Sequence, residues 1–161
     1  MELARDARLL LGGRAALAEL RRLLGVAGDG LASLAPQPGL PHVEALVDQV
    51  RAAGLTVDLE FEGDTNDVPA GVELSAYRVI QEALTNTLRH AFASRVWVIV
   101  RRREGELEVE VLDDGVGPAA TGAADGRGLV GMRERVALFG GELEAGKRPE
   151  GGFRVWARFP T

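Results

Sequence analysis

Apolar positions recur at two spacings along this chain, and their alternation sets out a series of helices and strands. Val43, Leu46, Val47 and Val50 return every three or four residues, the period of one helix face, and Gly54 ends that segment. Over Thr56 to Phe61, Val57, Leu59 and Phe61 alternate with polar neighbours, as a half-buried strand does. A polar turn region, Gly63 to Gly71, leads into a helix predicted from about Val72 to Ala91, with Tyr77, Ile80, Leu84, Leu88 and Ala91 on one side. The runs Arg95 to Arg103 and Leu107 to Val111 read as strands meeting in a hairpin at Glu104-Gly105. A helix from about Leu129 to Phe139 stops at Gly140-Gly141, and Glu142 to Ala145 pairs with Phe153 to Phe159 as a last hairpin. Strands that meet by hairpins, with helices between the pairs, predict an α/β two-layer sandwich: a mixed, mainly antiparallel sheet with helices on one face.

Ahead of this unit, Met1 to Val26 has helical leucine spacing, firmest in RAALAELRRLLGV, while Gly12 and Gly13 weaken its middle. Gly28, Gly30, Pro36, Pro38, Gly39 and Pro41 then form a stretch that ends helices and suits a linker. The chain is therefore expected as a docking or dimerisation helix over 1–27, a linker over 28–41 and one folded domain over 42–161.

Composition narrows the function. With 161 residues, 46% hydrophobic and 27% charged, the chain can bury a substantial core. Its net charge of −5 and pI near 5.1 argue against sequence-independent binding to nucleic acid or anionic lipid. The absence of Cys excludes disulfides and thiolate chemistry, and His42 and His90, the only histidines, make no histidine-rich metal site. No apolar run approaches the ~20 residues that span a bilayer, and charges interrupt the opening residues, so a soluble, cytoplasmic chain without membrane contact is expected. Gly141 to Arg148, GELEAGKR, imitates a P-loop, but Arg148 replaces the hydroxyl residue and Leu143 and Ala145 alternate like a strand.

The candidate chemistry begins on the helix around Leu74 to Ala91. At roughly 100° per residue, Glu82, Asn86, Arg89 and His90 share one polar arc. Val79 also falls in that arc and marks where it turns from ligand wall to packing. Asn86 can offer a carbonyl oxygen to Mg²⁺, Glu82 can hold a metal-bound water, and Arg89 can meet phosphate. At the end of a predicted buried strand stands Asp113-Asp114-Gly115-Val116-Gly117. There Asp113 would present an acceptor to the amino group of adenine, while Gly115 and Gly117 let backbone approach a flat ligand. Pro118 to Asp125 is small, polar and glycine-rich, and is expected to be mobile. Gly126 to Gly131 then opens a helix whose free N–H groups suit phosphates.

Together, QEALTNTLRHA, DDGVG and GRGLVGM resemble the N, G1 and G2 boxes of the ATP-binding catalytic domain of sensor histidine kinases, and GMRERVALFGG is similar to the NarL-type group. The resemblance covers about Leu31 to the C-terminus, and RAALAELRRLLGV looks like the end of a preceding dimerisation helix. It implies the Bergerat, or GHKL ATPase, form of the sandwich, with ATP between the helix and a mobile lid. It also implies that Asn86 coordinates Mg²⁺, Glu82 supports the metal through water, Arg89 faces phosphate and His90 packs beside the adenine. Asp113 would bond the adenine amino group, and Gly115, Gly117, Gly126, Gly128, Leu129 and Gly131 would belong to the nucleotide loops. The implied reaction transfers the γ-phosphoryl group of ATP to a histidine of a dimerisation domain, for passage to a response regulator; the isolated fragment would be a monomer or weak dimer.

Neither His42 nor His90 has the setting of the family's phosphoacceptor, so the chain is expected to bind ATP without phosphorylating itself. Gly151-Gly152-Phe153 also stands where many relatives have Gly followed by Thr, which removes a hydroxyl from the nucleotide pocket. The alternative readings are a nucleotide-dependent binding module without phosphotransfer, a GHKL-type ATPase using Glu82 as base, and an anti-sigma serine kinase.

Overall fold

The structure, a computed structural model, describes residues 36–90, 92–116 and 123–161. The expected helix over 1–27, most of the linker, Ala91 and Gly117 lie outside the described residues. Residues 37–161 form one compact unit. A single 3₁₀ turn, Leu40–His42, leads into α1, Val43–Ala52. There follow β1, Thr56–Glu62; α2, Ala70–His90; and the hairpin of β2, Arg95–Arg103, with β3, Glu106–Asp113. The chain ends with α3, Ala123–Ala137, and the hairpin of β4, Glu142–Lys147, with β5, Phe153–Pro160.

The five strands lie in the order β1-β2-β3-β5-β4. Only β1 and β2 run parallel, because α2 forms the crossover between them. The other neighbours are antiparallel, so the sheet is mixed and mainly antiparallel. Val96, Val98 and Val100 face the helices with Leu107, Val109, Val111, Val155, Ala157 and Phe159, and all are buried. The opposite face alternates with them and carries ion pairs. Arg101 reaches Glu62 and Glu110, and Arg154 reaches Glu110 and Glu144. Arg95 and Arg154 also stack over Trp97 and Trp156 at 5.6 and 5.7 Å. Burial of Glu110 raises its pKa, but hydrogen bonds from Arg154 and Arg101 outweigh that and hold it below the usual carboxylate range.

α2 is the centre of the helical layer, touching α1, α3 and β3. Its buried set is wider than one stripe: Ile80 and Leu84 are buried as the spacing predicts, and so are Val72, Ala76, Val79, Ala83 and Thr87. A helix flanked by two others over a sheet has packing on more than one side, which leaves Tyr77 and Leu88 only half-buried. Val79 is fully buried, at the point where the polar arc gives way to packing.

One local reading changes. α3 starts at Ala123, six residues before the expected Leu129, so Ala123 to Asp125 belong to a helix. The glycines do not favour this helix, and the fully buried Met132 and Val136 anchor it. The stretch that imitates a P-loop is β4, as its alternation predicts, with Gly146 and Lys147 paired to Arg154 and Phe153. Among the described residues, no helix is long and apolar enough to cross a membrane.

Candidate functional site

The site is assembled on the C-terminal half of α2, where residues one turn apart share a face. Glu82 and Asn86, half-buried, lie against the glycine-rich part of α3. Gly128 is the point of contact: a Cβ there would stand 2.5 Å from Glu82 Oε1 and 3.7 Å from Asn86 Nδ2. Only a residue without a side chain lets the two helices approach so closely with the carboxylate in this rotamer. Gly126 and Gly131 differ, since a Cβ at either would meet open space. Leu129 is half-buried in the same helix, inside it rather than at its start. The fan of free N–H groups expected at Gly126 to Gly131 is therefore not presented in this helical form.

The second part of the site forms where β3 ends beside α2. Asp113 is buried, with 5% of its surface exposed. Its Oδ1 accepts the backbone N–H of Gly115 at 2.9 Å and that of Phe153 at 3.2 Å. Its Oδ2 accepts the hydroxyl of Thr87 at 3.2 Å. The Thr87 hydroxyl also lies 3.1 Å from the carbonyl of Ala83, one turn back. The β4–β5 turn presses on the aspartate from behind. Gly152 has φ +88°, and a Cβ there would fall 1.8 Å from the Asp113 carbonyl oxygen, so only glycine fits.

The two aspartates of the D-D-G run have separate duties. Asp114 is exposed and accepts the N–H groups of Ser94 and Arg95 and the Ser94 hydroxyl, tying the start of β2 to the end of β3. The Ser94 hydroxyl, followed by the Arg95 amide, holds the Asp114 carboxyl below its usual range.

Thus Glu82, Asn86 and Gly128 meet on one side of α2, and Asp113 and Gly115 meet on the next. Arg89 is half-buried, one turn beyond Asn86 and two beyond Glu82, and lines a groove of about 190 Å³ with Leu55, Thr87 and Phe92. His90 closes α2, and its side chain, like Gly117, lies outside the described residues. Sequence reasoning missed Thr87 and the backbone of Phe153 as partners of Asp113. The signal for Thr87 was a hydroxyl on the core side of a helix, where a buried donor needs an acceptor.

Glu82 and Asn86 supply oxygen donors of the kind Mg²⁺ prefers, from one helix and one turn apart. Among the described residues no group of three or more Asp, Glu or His side chains converges, so a metal here would need further oxygens from a ligand such as a phosphate.

The profile of the family described as "Histidine kinase-, DNA gyrase B-, and HSP90-like ATPase" matches residues 71–161. Signal transduction histidine-protein kinase/phosphatase DegS of Brevibacillus brevis is 32% identical over 158 residues, covering 97% of this chain and 40% of that protein. Nitrate/nitrite sensor protein NarX of Escherichia coli K12 is 30% identical over 126 residues, covering 76% of this chain and 21% of that protein. The chain thus spans well under half the length of these curated relatives. Among solved structures, the Erythrobacter litoralis EL346 blue-light activated histidine kinase is similar in fold, with a TM-score of 0.58 at 24% identity. That match covers 91% of this chain and 53% of the other.

Proposed function

The chain belongs to the histidine kinase-, DNA gyrase B- and HSP90-like ATPase family, and from that premise we propose that it is the catalytic part of a cytoplasmic two-component sensor histidine kinase. ATP binding follows from the family; the kinase reaction and the duties of the residues are the proposal. One observation supports it most. Neighbouring faces of the same stretch of α2 carry the Glu82–Asn86 pair lying against Gly128 and the Thr87 hydroxyl bonded to buried Asp113. A nucleotide lying across these two faces of α2 would meet a purine acceptor at one end and oxygen ligands for a phosphate-bound cation at the other.

In this reading Asp113 accepts the exocyclic amino group of adenine, and Gly115 and Gly117 let the backbone lie close to the ring. His90 packs beside the base. Asn86 would coordinate Mg²⁺ and Glu82 would hold it through water, the metal supplying charge neutralisation at the phosphate oxygens. Arg89 faces phosphate, and Gly126, Gly128, Leu129 and Gly131 line the polyphosphate once α3 has rearranged. The protein's part in the transfer is positioning and charge compensation, which is most of what phosphoryl transfer requires. The acceptor is a histidine on a dimerisation domain and the later acceptor an aspartate of a response regulator.

Calorimetric titration of the full chain with ATP and Mg²⁺ tests the binding half. Asp113→Asn should weaken ATP about 30- to 100-fold, since an amide cannot accept in place of both carboxylate oxygens. Unchanged affinity in that variant refutes the assignment of Asp113. The kinase half requires transfer of labelled phosphate from ATP to a separately supplied dimerisation domain, and no transfer, with ATP bound, overturns it. A binding module without phosphotransfer is the second reading. What favours it is that His42 lies at a helix start, with its Nδ1 accepting the Gly39 N–H, rather than in a phosphoacceptor helix.

A further inference from the structure

The hydrogen bonds around Asp113 can be counted against its capacity. A carboxylate has about four acceptor positions, two on each oxygen. Both positions on Oδ1 are taken by the N–H groups of Gly115 and Phe153. On Oδ2, among the described residues, one is taken by Thr87. One position remains for a donor from outside the fold, and Thr87 determines which one, because its hydroxyl occupies the other.

We infer that Thr87 is a positioning residue for base selection: by holding one side of Oδ2 it aims the remaining acceptor position at a single amino group of a purine. This rests on the reading of Asp113 as the base acceptor and adds a second residue to it. The geometry gives the hydroxyl a fixed place. Thr87 is 6% exposed, so water does not compete freely for it. Its position is set by α2, and the Ala83 carbonyl at 3.1 Å offers the same hydrogen a second acceptor. Held between these two acceptors, the hydroxyl keeps its place beside Oδ2 when a ligand amino group arrives at the other position, and the buried donor stays paired throughout. A 6-amino purine supplies the N–H that this position lacks. A 6-oxo purine brings a carbonyl oxygen toward a carboxylate oxygen, and nothing lies between them to donate.

The experiment compares Thr87→Val and Thr87→Ser in the full chain, titrated with ATP and with inosine triphosphate in Mg²⁺. Valine keeps the shape and β-branching of threonine and removes the donor; serine keeps the donor. Thr87→Val should lose roughly 5- to 10-fold in ATP affinity. Its inosine triphosphate affinity should stay within about twofold, so that the preference between the two narrows; serine should restore it. Loss of both nucleotides in equal proportion, or no loss of ATP, overturns the inference. Thr87→Ala serves if the valine variant does not fold, with the same ratio as readout. Asp113→Asn separates the two levels. If it leaves ATP binding intact, the base reading itself is wrong. If it removes ATP binding while Thr87→Val changes no ratio, only the role of Thr87 is wrong.

Discussion

The two halves of the site are built on one helix but in opposite ways. At the Asp113 end the acceptor is buried, and three donors from three places in the chain hold its two oxygens. At the Glu82 end the side chains are half-buried, and their neighbour is a helix laden with Gly126, Gly128 and Gly131. Three glycines together cost such a helix about 2–3 kcal/mol relative to alanine. One half is therefore preorganised and the other is held in a shape its own sequence disfavours. Because a Cβ on Gly128 would already crowd Glu82, a phosphate has no room between them as they stand. The base end can act as the fixed reference, and the phosphate end is where binding must do conformational work.

The largest expected effect comes from breaking the rigid half. Gly152→Ala combines a left-handed φ of +88° with a Cβ 1.8 Å from the Asp113 carbonyl oxygen. Strain of 1–2 kcal/mol from the backbone and a similar overlap cost give a destabilisation of about 3 kcal/mol. Urea unfolding should register it as a lower midpoint with an unchanged slope, and the ATP affinity of the remaining folded protein should fall with it. A variant as stable as the parent would mean that the β4–β5 turn does not buttress Asp113.

The opposite half gives a smaller effect of opposite sign on stability. Gly126→Ala with Gly131→Ala places methyl groups where nothing lies within contact distance, and each should stabilise α3 by about 0.5–1 kcal/mol. If phosphates enter only when the first turns of α3 move away from Glu82, the same free energy opposes binding. The double variant should then melt higher and bind ATP about tenfold more weakly. Higher stability with unchanged affinity would show that these turns stay in place when nucleotide binds.

The same contrast explains how much could be read from the chain beforehand. The order of elements, the mixed sheet and the placing of Glu82, Asn86 and Asp113 follow from local spacing, which the folded chain keeps. The start of α3 did not follow, because glycines at 126 and 128 signal a loop unless the contact with Glu82 and the burial of Met132 and Val136 are known. Nor did the partnership of Thr87 with Asp113, which lie 26 residues apart and meet only once β3 is laid beside α2. Asp113 and Asp114 were adjacent and chemically identical in the sequence. Only the strand geometry turns one toward α2 and the other toward Ser94.

That last division supplies the smallest effect and separates structural from ligand-facing acid. Asp114 has its pKa lowered in the folded state, first by the Ser94 hydroxyl and then by the Arg95 amide. It therefore adds stability at pH values above its unfolded pKa of about 3.9 and loses that contribution as the pH falls through the lower folded value. Being exposed, the carboxylate is screened by solvent and its share is modest. Asp114→Asn should lower the urea midpoint slightly at pH 7, with the deficit shrinking as both proteins are taken toward pH 3. ATP affinity at pH 7 should be unaltered, because this carboxylate faces Ser94 and Arg95. Parallel loss of stability in parent and variant across that range would show that Asp114 does not titrate with folding. A loss of ATP affinity as large as that of Asp113→Asn would erase the distinction between the two aspartates.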